Sequence, residues 1–245
     1  MTRSLPSEFA DHNDQQRRYF ERSVKRRMLP RESRYLSRHI DEVVRAAAVR
    51  EGGRVLEVGC GMGRYTLDLA DRGFAIEGLD LSPVLLERLR AFDKGRHDIP
   101  LYCGDILQVA DLVTGEFDAV VGFFTLHHVH DLPACFAAIR PAVKPGGRVV
   151  FVEPNPLCPL YYVQILLTPG MSWDGERGIA QMRRGTVLGA MQQAGLRETQ
   201  MSRFGFFPPF IADRAWSRPL EVALEAMPLW RVFLPFQLFA GVKER

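Results

Sequence analysis

A glycine-rich turn after a short apolar run is the feature that most constrains the fold of this chain. The sequence VLEVGCGMGRYT, residues 55–66, places Gly59, Gly61 and Gly63 at alternate positions behind the apolar residues. Glycine has no Cβ, so the chain can turn sharply here and a ligand can lie against the peptide planes. In open parallel sheets, ligands bind at such turns, outside the carboxyl ends of the strands. The turn therefore predicts an α/β fold with a ligand beside it.

The rest of the chain after residue 50 alternates strand-like and helix-like segments. RVLEVG, AIEGLDLS, PLYCGDI, FDAVVGFF and RVVFVEPN read as strands, with helical segments or loops between them and a KPGG turn before the fifth. This alternation is typical of a parallel sheet with helices on both faces. Two more strand-like segments, near RETQMSRFG and FQLFAGVK, bring the number of strands to seven. The sequence therefore predicts a Rossmann-like α/β fold with a mostly parallel sheet.

Two segments stand apart from this alternation. Residues 1–50 are predicted to form a basic helical lid, with helices near residues 15–28 and 34–48, and residues 51–245 the main domain. From residue 17 to 50 there are eleven Lys or Arg and four acidic residues, which indicates either a solvated helix face or an anionic partner. Residues 156–184 interrupt the alternation after the fifth strand and are predicted to be a substrate cap.

Composition excludes several classes of protein. The four cysteines form no CxxC pair, so neither a zinc site nor a disulfide framework is indicated, and a reducing cytoplasm is expected. The N-terminus has no apolar signal core, and no apolar run approaches the ~20 residues of a membrane span, so we expect a cytoplasmic protein. A net charge of +3 does not by itself favour nucleic acid as a partner.

The glycine spacing argues against a dinucleotide. Counted from Gly59, the third position of the GxGxxG fingerprint falls on Arg64. The second strand ends in Asp80, where a carboxylate can accept hydrogen bonds from both hydroxyls of a ribose. The third ends in Asp105 and Ile106, which offer a carboxylate and an apolar face to a purine.

These motifs carry a family resemblance. VLEVGCGMGRYT, GLDLS, CGDI, FDAVVGFFTLHHV and VKPGGRVVFVEP resemble the successive motifs of class I S-adenosylmethionine-dependent methyltransferases, in particular the small-molecule branch with the ubiquinone-pathway enzymes. The resemblance covers residues 54–154. It is specific for fold and cofactor, S-adenosylmethionine, and says little about the substrate.

The resemblance implies a role for each cofactor residue. Glu57 and the turn with Gly59, Gly61 and Gly63 would face the methionyl end, and Phe123 would present its carbonyl oxygen to the amine. Asp80 would bind the ribose, and Leu81, Asp105 and Ile106 the adenine. An arginine or aromatic residue before the first strand often binds the cofactor carboxylate in this family, and Arg34, Tyr35 and Arg38 are equally good candidates.

Three residues are candidate bases for a hydroxyl acceptor, namely His127, His128 and Glu153. Each also has a structural interpretation, because a histidine after the fourth strand can brace the loop or cap the next helix. No metal-ligand pattern accompanies them in the sequence. The Pro-Pro-Tyr or Pro-Pro-Phe motif of base amino-methyltransferases is missing from GFFTLHH, which disfavours a nucleic-acid substrate.

Aromatic residues concentrate outside the shared cofactor motifs. Tyr161, Tyr162 and Trp173 lie in the predicted cap, and Phe206 and Phe207 in RFGFFPPF. They are either core of the cap or the wall of an apolar acceptor pocket that opens towards a membrane surface. The function predicted is methylation of a small hydrophobic acceptor on oxygen. An RNA or protein methyltransferase and a non-catalytic regulator that binds the cofactor are the alternatives.

Overall fold

The seven-stranded sheet predicted from the sequence is present. The computed structural model describes residues 16–18, 21, 29–167 and 176–244. The strands run in the order β3-β2-β1-β4-β5-β7-β6, and β7 is antiparallel to both of its neighbours. Their bounds are β1 Arg54–Val58, β2 Ala75–Asp80, β3 Leu101–Cys103, β4 Phe117–Phe123, β5 Val143–Pro154, β6 Leu196–Phe204 and β7 Phe236–Lys243. Strand order reverses between β1 and β4, which places the ligand edge at the end of β1.

Helices connect the strands on both faces of the sheet. They are α1 Arg34–Ala47, α2 Thr66–Asp71, α3 Pro83–Asp93, α4 Val109–Leu112, α5 Leu132–Ile139, α6 Pro159–Leu167, α7 Arg184–Gln193, α8 Pro209–Ala212 and α9 Ser217–Ala226. The sequence SPVLLERLRAFDKG predicts a helix with Ser82 as its N-cap and Pro83 at its first position, and the start of α3 confirms this. The Ser82 side chain accepts a hydrogen bond from the N–H of Leu85, and Pro83 occupies the first helical turn.

The first complete helix is part of the core. Leu36, Ile40 and Val43 of α1 are fully buried in a cluster with residues of β1, β4, β5 and β7. The helix predicted over residues 15–28 lies mostly outside the described residues, although 16–18 and 21 are helical. Because α1 covers one face of the sheet, any lid function of residues 1–50 belongs to the part before α1.

The predicted KPGG turn before the fifth strand is wrong. Val143 already pairs with Phe117 of β4, and Arg148 pairs with Ala119, so the intervening residues form a bulge inside one strand. Gly146 has φ +80°, and a Cβ on Gly147 would lie 2.9 Å from the carbonyl oxygen of Asp118. The glycines thus permit the bulge rather than end the strand.

Candidate active site

A cavity of about 380 Å³ lies at the carboxyl edge of β1, β2, β3 and β4. Most of the predicted cofactor residues line it, namely Tyr35, Glu57, Gly59, Gly61, Asp80, Leu81, Asp105, Ile106 and Phe123. Gly63 belongs to the same turn but does not line the cavity. A Cβ there would lie 2.8 Å from Leu89 of α3, so Gly63 serves close packing of the turn.

The glycine turn exposes its backbone to the cavity. Gly59 and Gly61 have φ +74° and +54°, in the left-handed region that favours glycine. A Cβ on Gly59 would lie 2.4 Å from Oγ1 of Thr125, whereas a Cβ on Gly61 would have no atom within 4 Å. Gly61 therefore leaves open space in which a ligand can contact the peptide, as the fit of a nucleoside cofactor requires.

Two carboxyl groups face this space, the partly buried Asp80 and the buried Glu57. Asp80 accepts hydrogen bonds from the N–H groups of Gly61 (2.8 Å) and Ser82 (2.9 Å), while burial raises its pKa above the ordinary value. Burial also raises the pKa of Glu57 to about 8, against the opposing hydrogen bond of 2.7 Å that the Thr66 hydroxyl donates. Carboxyl groups at least partly withdrawn from water favour a ligand that brings hydroxyl donors or a positive charge.

The next strand end provides the third acidic residue. Asp105 begins a 3₁₀ turn, Ile106–Gln108, and its side chain accepts a hydrogen bond of 2.8 Å from the N–H of Leu107. The turn positions Ile106 in the cavity wall, where Leu81 also lies. A carboxylate with two aliphatic side chains beside it is an arrangement that suits an adenine ring.

The structure separates the three candidates for the cofactor carboxylate. Tyr35 lines both the main cavity and a second cavity of about 220 Å³, whereas Arg34 and Arg38 line only the second. Arg38 is held there by ion pairs with Glu42 and with Glu225, the latter at 3.0 Å. These carboxylates compete with a cofactor for Arg38, so the structure does not bring Arg34 or Arg38 to the ligand edge.

Three arginines that no sequence motif marked line the main cavity instead, Arg17, Arg31 and Arg64. The Arg64 guanidinium lies over the ring of Tyr65, 5.3 Å from its centroid, and Tyr65 stacks on Phe123 with centroids 4.1 Å apart. Arg64 directly follows Gly63 in the sequence. Its place next to the glycine turn could have indicated, from the sequence alone, that this arginine faces the cofactor.

Glu153 is a structural partner of the loop after β4. It is fully buried and does not line the cavity. Its Oε1 accepts hydrogen bonds from the N–H groups of Thr125 (2.8 Å) and Leu126 (2.7 Å), and its Oε2 lies 2.6 Å from Nδ1 of His127. Glu153 therefore orients His127 and the loop and has no access to a substrate.

The histidines line the cavity together with a carboxylate from the cap. Nε2 of His127 lies 3.5 Å from Oε2 of Glu176, which also accepts a hydrogen bond of 3.0 Å from the Tyr161 hydroxyl. The ring of His128 is 3.9 Å from that of His127. We call His127, His128 and Glu176 the histidine wall. Glu176 lies far from the histidines in sequence, and no local pattern marks it.

Opposing effects set the pKa values in the histidine wall. Burial lowers the pKa of His127, but the charges and hydrogen bonds of Glu153 and Glu176 outweigh it and raise the value to about 9. Burial likewise raises the pKa of Glu176, and His127 outweighs it and lowers the value to about 2. His127 is therefore protonated at neutral pH, held between two carboxylates, and is poorly suited to act as a base.

Of the predicted substrate residues, the structure places some at the cavity and others away from it. Tyr161 lines the cavity, whereas the Tyr162 hydroxyl donates a 2.8 Å hydrogen bond to the carbonyl oxygen of Pro156. The N–H groups of Phe206 and Phe207 donate to Glu221, and neither residue lines the cavity. Trp173 lies outside the described residues. The apolar wall is formed by Phe124, Pro209 and Phe236, which were not selected from the sequence.

Comparison with known proteins agrees with this geometry. The sequence profile of a methyltransferase domain family matches residues 28–200. The chain belongs to this family. The fold and the cavity place the chain in class I of these domains, whose cofactor is S-adenosylmethionine.

Curated relatives include ubiquinone biosynthesis O-methyltransferases. The relative from Chromobacterium violaceum is 31% identical over 69% of this chain and 75% of its own length. The relative from Idiomarina loihiensis is 39% identical over 42% of this chain, and that from Nitrosococcus oceani 34% over 46%. The chain spans less than half of the length of these two relatives, 43% and 49%.

Solved structures with the same fold are more distant in sequence. Magnesium protoporphyrin IX methyltransferase from Synechocystis, with bound S-adenosylhomocysteine, has a TM-score of 0.62 at 15% identity, over 96% of this chain and 100% of that one. Geranyl diphosphate C-methyltransferase from Streptomyces coelicolor has a TM-score of 0.61 at 16% identity, over 95% and 98%. At these identities the likeness shows the fold.

Proposed function

We propose that this enzyme methylates a hydroxyl oxygen of a small, mainly apolar acceptor. The observation that carries the proposal is the composition of the cavity beyond the cofactor residues. Phe124, Pro209 and Phe236 supply apolar surface, and the histidine wall supplies the polar groups on one side. A pocket with apolar walls and a few polar groups holds an acceptor by desolvation and orients it by hydrogen bonds. Curated relatives named O-methyltransferases support oxygen as the acceptor atom.

The cofactor residues are proposed to act as follows. Asp80 accepts hydrogen bonds from the ribose hydroxyls, and Asp105 with Leu81 and Ile106 holds the adenine. Glu57 and the carbonyl oxygen of Phe123 face the methionyl ammonium. Arg64 and Arg31 replace Arg34 and Arg38 as partners of the carboxylate, with Tyr35 beside them, because they line the same cavity.

When bound, S-adenosylmethionine supplies a methyl group made electrophilic by the adjacent sulfonium. The chain contributes chiefly position, since holding an acceptor in line supplies much of the acceleration. An acceptor oxygen held in line with this methyl group would bond to its carbon as the carbon–sulfur bond breaks, and that electron pair would remain on sulfur. The hydroxyl proton leaves on the side of the histidine wall, where the protonated His127 and the enclosed Glu153 are both unsuited to receive it.

An acceptor panel tests the proposal. We expect kcat/KM to rise with the apolar area of hydroxyl acceptors, at about 25 cal/mol for each Å² buried. Phe236→Ala should raise the KM for the acceptor, and Tyr162→Ala, whose side chain lies outside the cavity, is the matched control. Methylation that follows hydroxyl count, or amine acceptors preferred over alcohols, would contradict the proposal. Salt-sensitive RNA binding would favour a nucleic-acid substrate, and cofactor binding without turnover would favour a regulator.

We further propose that the acceptor reaches the cavity from an anionic membrane surface. Among the described residues no helix is both long and apolar enough to cross a bilayer. Large apolar side chains are nevertheless exposed on α6, just before it, and in residues 210–233: Leu157, Leu160, Val163, Leu166, Phe210, Trp216, Leu220, Val222, Met227, Leu229, Trp230, Val232 and Phe233. We call this set the apolar face.

Contacts and charges of the apolar face support a membrane as its occupant. The Asn155 side chain donates to the carbonyl oxygens of Val232 and Leu234, both at 2.8 Å, which ties the start of the cap to the second part of the face. Exposed arginines, Arg214 and Arg231, lie among the apolar residues. Apolar side chains with interspersed arginines fit a bilayer with anionic headgroups.

A further inference from the structure

The histidine wall has the composition and spacing of a metal site. One ligand atom from each of His127, His128 and Glu176 can be chosen so that all lie within 4.8 Å of one another. Two of these residues are buried, His128 is partly buried, and all three line the cavity. Three protein ligands on the wall of an open cavity leave coordination positions for a substrate, as in catalytic zinc sites.

The surroundings of the wall add a second observation. Nδ1 of His127 lies 2.6 Å from the buried Glu153, so the ring is oriented with Nε2 towards Glu176. Histidines that bind metals commonly donate their other N–H to a carboxylate in this way, which fixes the ring and raises its basicity. The Tyr161 hydroxyl, 3.0 Å from Glu176, orients the carboxylate in turn.

We propose that His127, His128 and Glu176 bind one divalent transition-metal ion, of the zinc class, in the acceptor half of the cavity. Two imidazoles and one carboxylate suit Zn²⁺, Co²⁺ or Ni²⁺ better than Mg²⁺, which prefers oxygen ligands. The charge at the wall agrees, because the carboxylates Glu153 and Glu176 flank His127 and favour positive charge there. The ion would lie between Nε2 of His127 and Glu176 and replace the proton that His127 carries at neutral pH, which is released to solvent.

The role of the ion, which rests on the function proposed above, is to bind the acceptor oxygen. A hydroxyl bound to such an ion is more acidic, and its proton passes to solvent water before the oxygen accepts the methyl group. An acceptor with two adjacent oxygens would occupy two coordination positions. The metal would then perform the deprotonation for which the sequence suggests a histidine base.

Metal binding is tested on the full chain without acceptor. After treatment with a chelator, titration calorimetry with ZnCl₂ should show one ion per chain, and MgCl₂ should bind at least 100-fold more weakly. His128→Ala and Glu176→Gln should each weaken Zn²⁺ binding at least tenfold, and Glu153→Gln by about 10- to 100-fold through the orientation of His127. His130→Ala, in the same cavity but outside the trio, is the matched control.

A second measurement needs no variant. Co²⁺ bound to the wild-type chain should give the intense visible absorption of a low-coordinate site, and Zn²⁺ should abolish this absorption and protect His127 and His128 from diethylpyrocarbonate. No stoichiometric Zn²⁺ binding, or equal affinity in the folded His128→Ala and Glu176→Gln variants, would overturn the metal site. Full methylation by chelator-treated enzyme would overturn its role and leave the proposed function standing.

Discussion

At the scale of single residues, Asp80 is where cofactor affinity should be most sensitive. Asp80→Asn keeps the shape of the side chain and removes its charge. Charge-assisted hydrogen bonds contribute about 1.5–3 kcal/mol each, so the affinity for S-adenosylhomocysteine should fall at least tenfold. Calorimetry measures the change, and Asp111→Asn, exposed on α4 and outside the cavity, is the control. Unchanged affinity would remove the ribose assignment.

His127 provides a pH dependence with a defined sign. Its pKa is raised to about 9, so its contribution to stability is complete below its ordinary value of 6.5 and is lost as pH rises through 9. The pKa of Glu176 is lowered to about 2, so its contribution is complete above 4.5 and is lost as pH falls through 2. Glu153 and His128 are the other titratable groups facing His127. Both contributions are therefore complete between pH 4.5 and 6.5.

We expect the free energy of unfolding in chelator to fall between pH 6.5 and 9.5. The part of this fall in the free energy of unfolding that is due to His127 is on the order of a few kcal/mol. Urea denaturation at several pH values measures it. Glu176→Gln should reduce the slope over this range, and NMR titration should show a lower pKa for His127 in that variant. A flat profile, or a pKa of His127 near 6.5 in the wild type, would contradict the ion pairs.

At the scale of elements, the cap rests on the loop after β4 through a glycine. A Cβ on Gly178, in the 3₁₀ turn Arg177–Gln181, would lie 1.7 Å from the carbonyl oxygen of His127. Gly178→Ala must displace the turn and Glu176 with it. We expect a loss of about 1–3 kcal/mol, typical of overpacking, and a higher KM for the acceptor.

Gly185→Ala is the matched control for that variant. Gly185 lies in α7, just after the cap, and a Cβ there would meet no atom within 4 Å. An alanine in a helix is favoured over glycine by up to about 1 kcal/mol, so this variant should be as stable as the wild type or more so. Equal melting temperatures for Gly178→Ala and the wild type would show that the cap is not seated on His127.

The N-terminal segment has two parts, the residues before α1, which we propose as the lid, and α1 itself, which belongs to the core. Gln16 and Arg17 line the cavity, whereas Leu36, Ile40 and Val43 are buried under the sheet. A chain that begins at residue 29 should unfold cooperatively and bind cofactor more weakly. A chain that begins at residue 48 should not fold stably, because three buried aliphatic side chains contribute about 5 kcal/mol or more, comparable to a whole domain's stability.

Circular dichroism melts and calorimetry with S-adenosylhomocysteine distinguish these two truncations. The lid predicted over residues 1–50 would be dispensable for folding only up to α1, because α1 itself is buried. Full cofactor affinity in the chain that begins at residue 29 would exclude a lid function for residues 1–28.

At the scale of the whole molecule, the apolar face predicts binding to anionic vesicles. Leu160 and Leu166 of α6 are 65% and 70% exposed. Replacing both with Ser should reduce binding to phosphatidylglycerol vesicles at least tenfold, since burying one Leu is worth about 1.5–3 kcal/mol. Co-sedimentation measures this, and Phe92→Ser, on α3 outside the face, is the control. Equal binding to neutral vesicles would show that the arginines do not contribute to membrane binding.

Local sequence was sufficient for much of the fold and the cofactor edge. Strand and helix periodicity predicted seven strands, and the parallel topology brings Gly59, Asp80 and Asp105 to one edge because each follows its own strand. Ser82 began α3 as expected. These features depend on residues near one another in sequence or on the regular rule that strand ends of a parallel sheet lie together.

Long-range packing alone decided the rest. Arg64 rather than Arg38 faces the cavity because Glu42 and Glu225 hold Arg38 elsewhere. Glu153 is a buried partner of the loop rather than a base, and Glu176 meets His127 and His128 across 47 residues of intervening chain. Which charges meet depends on how the cap and α9 pack against the sheet, and no local period in the sequence encodes that packing.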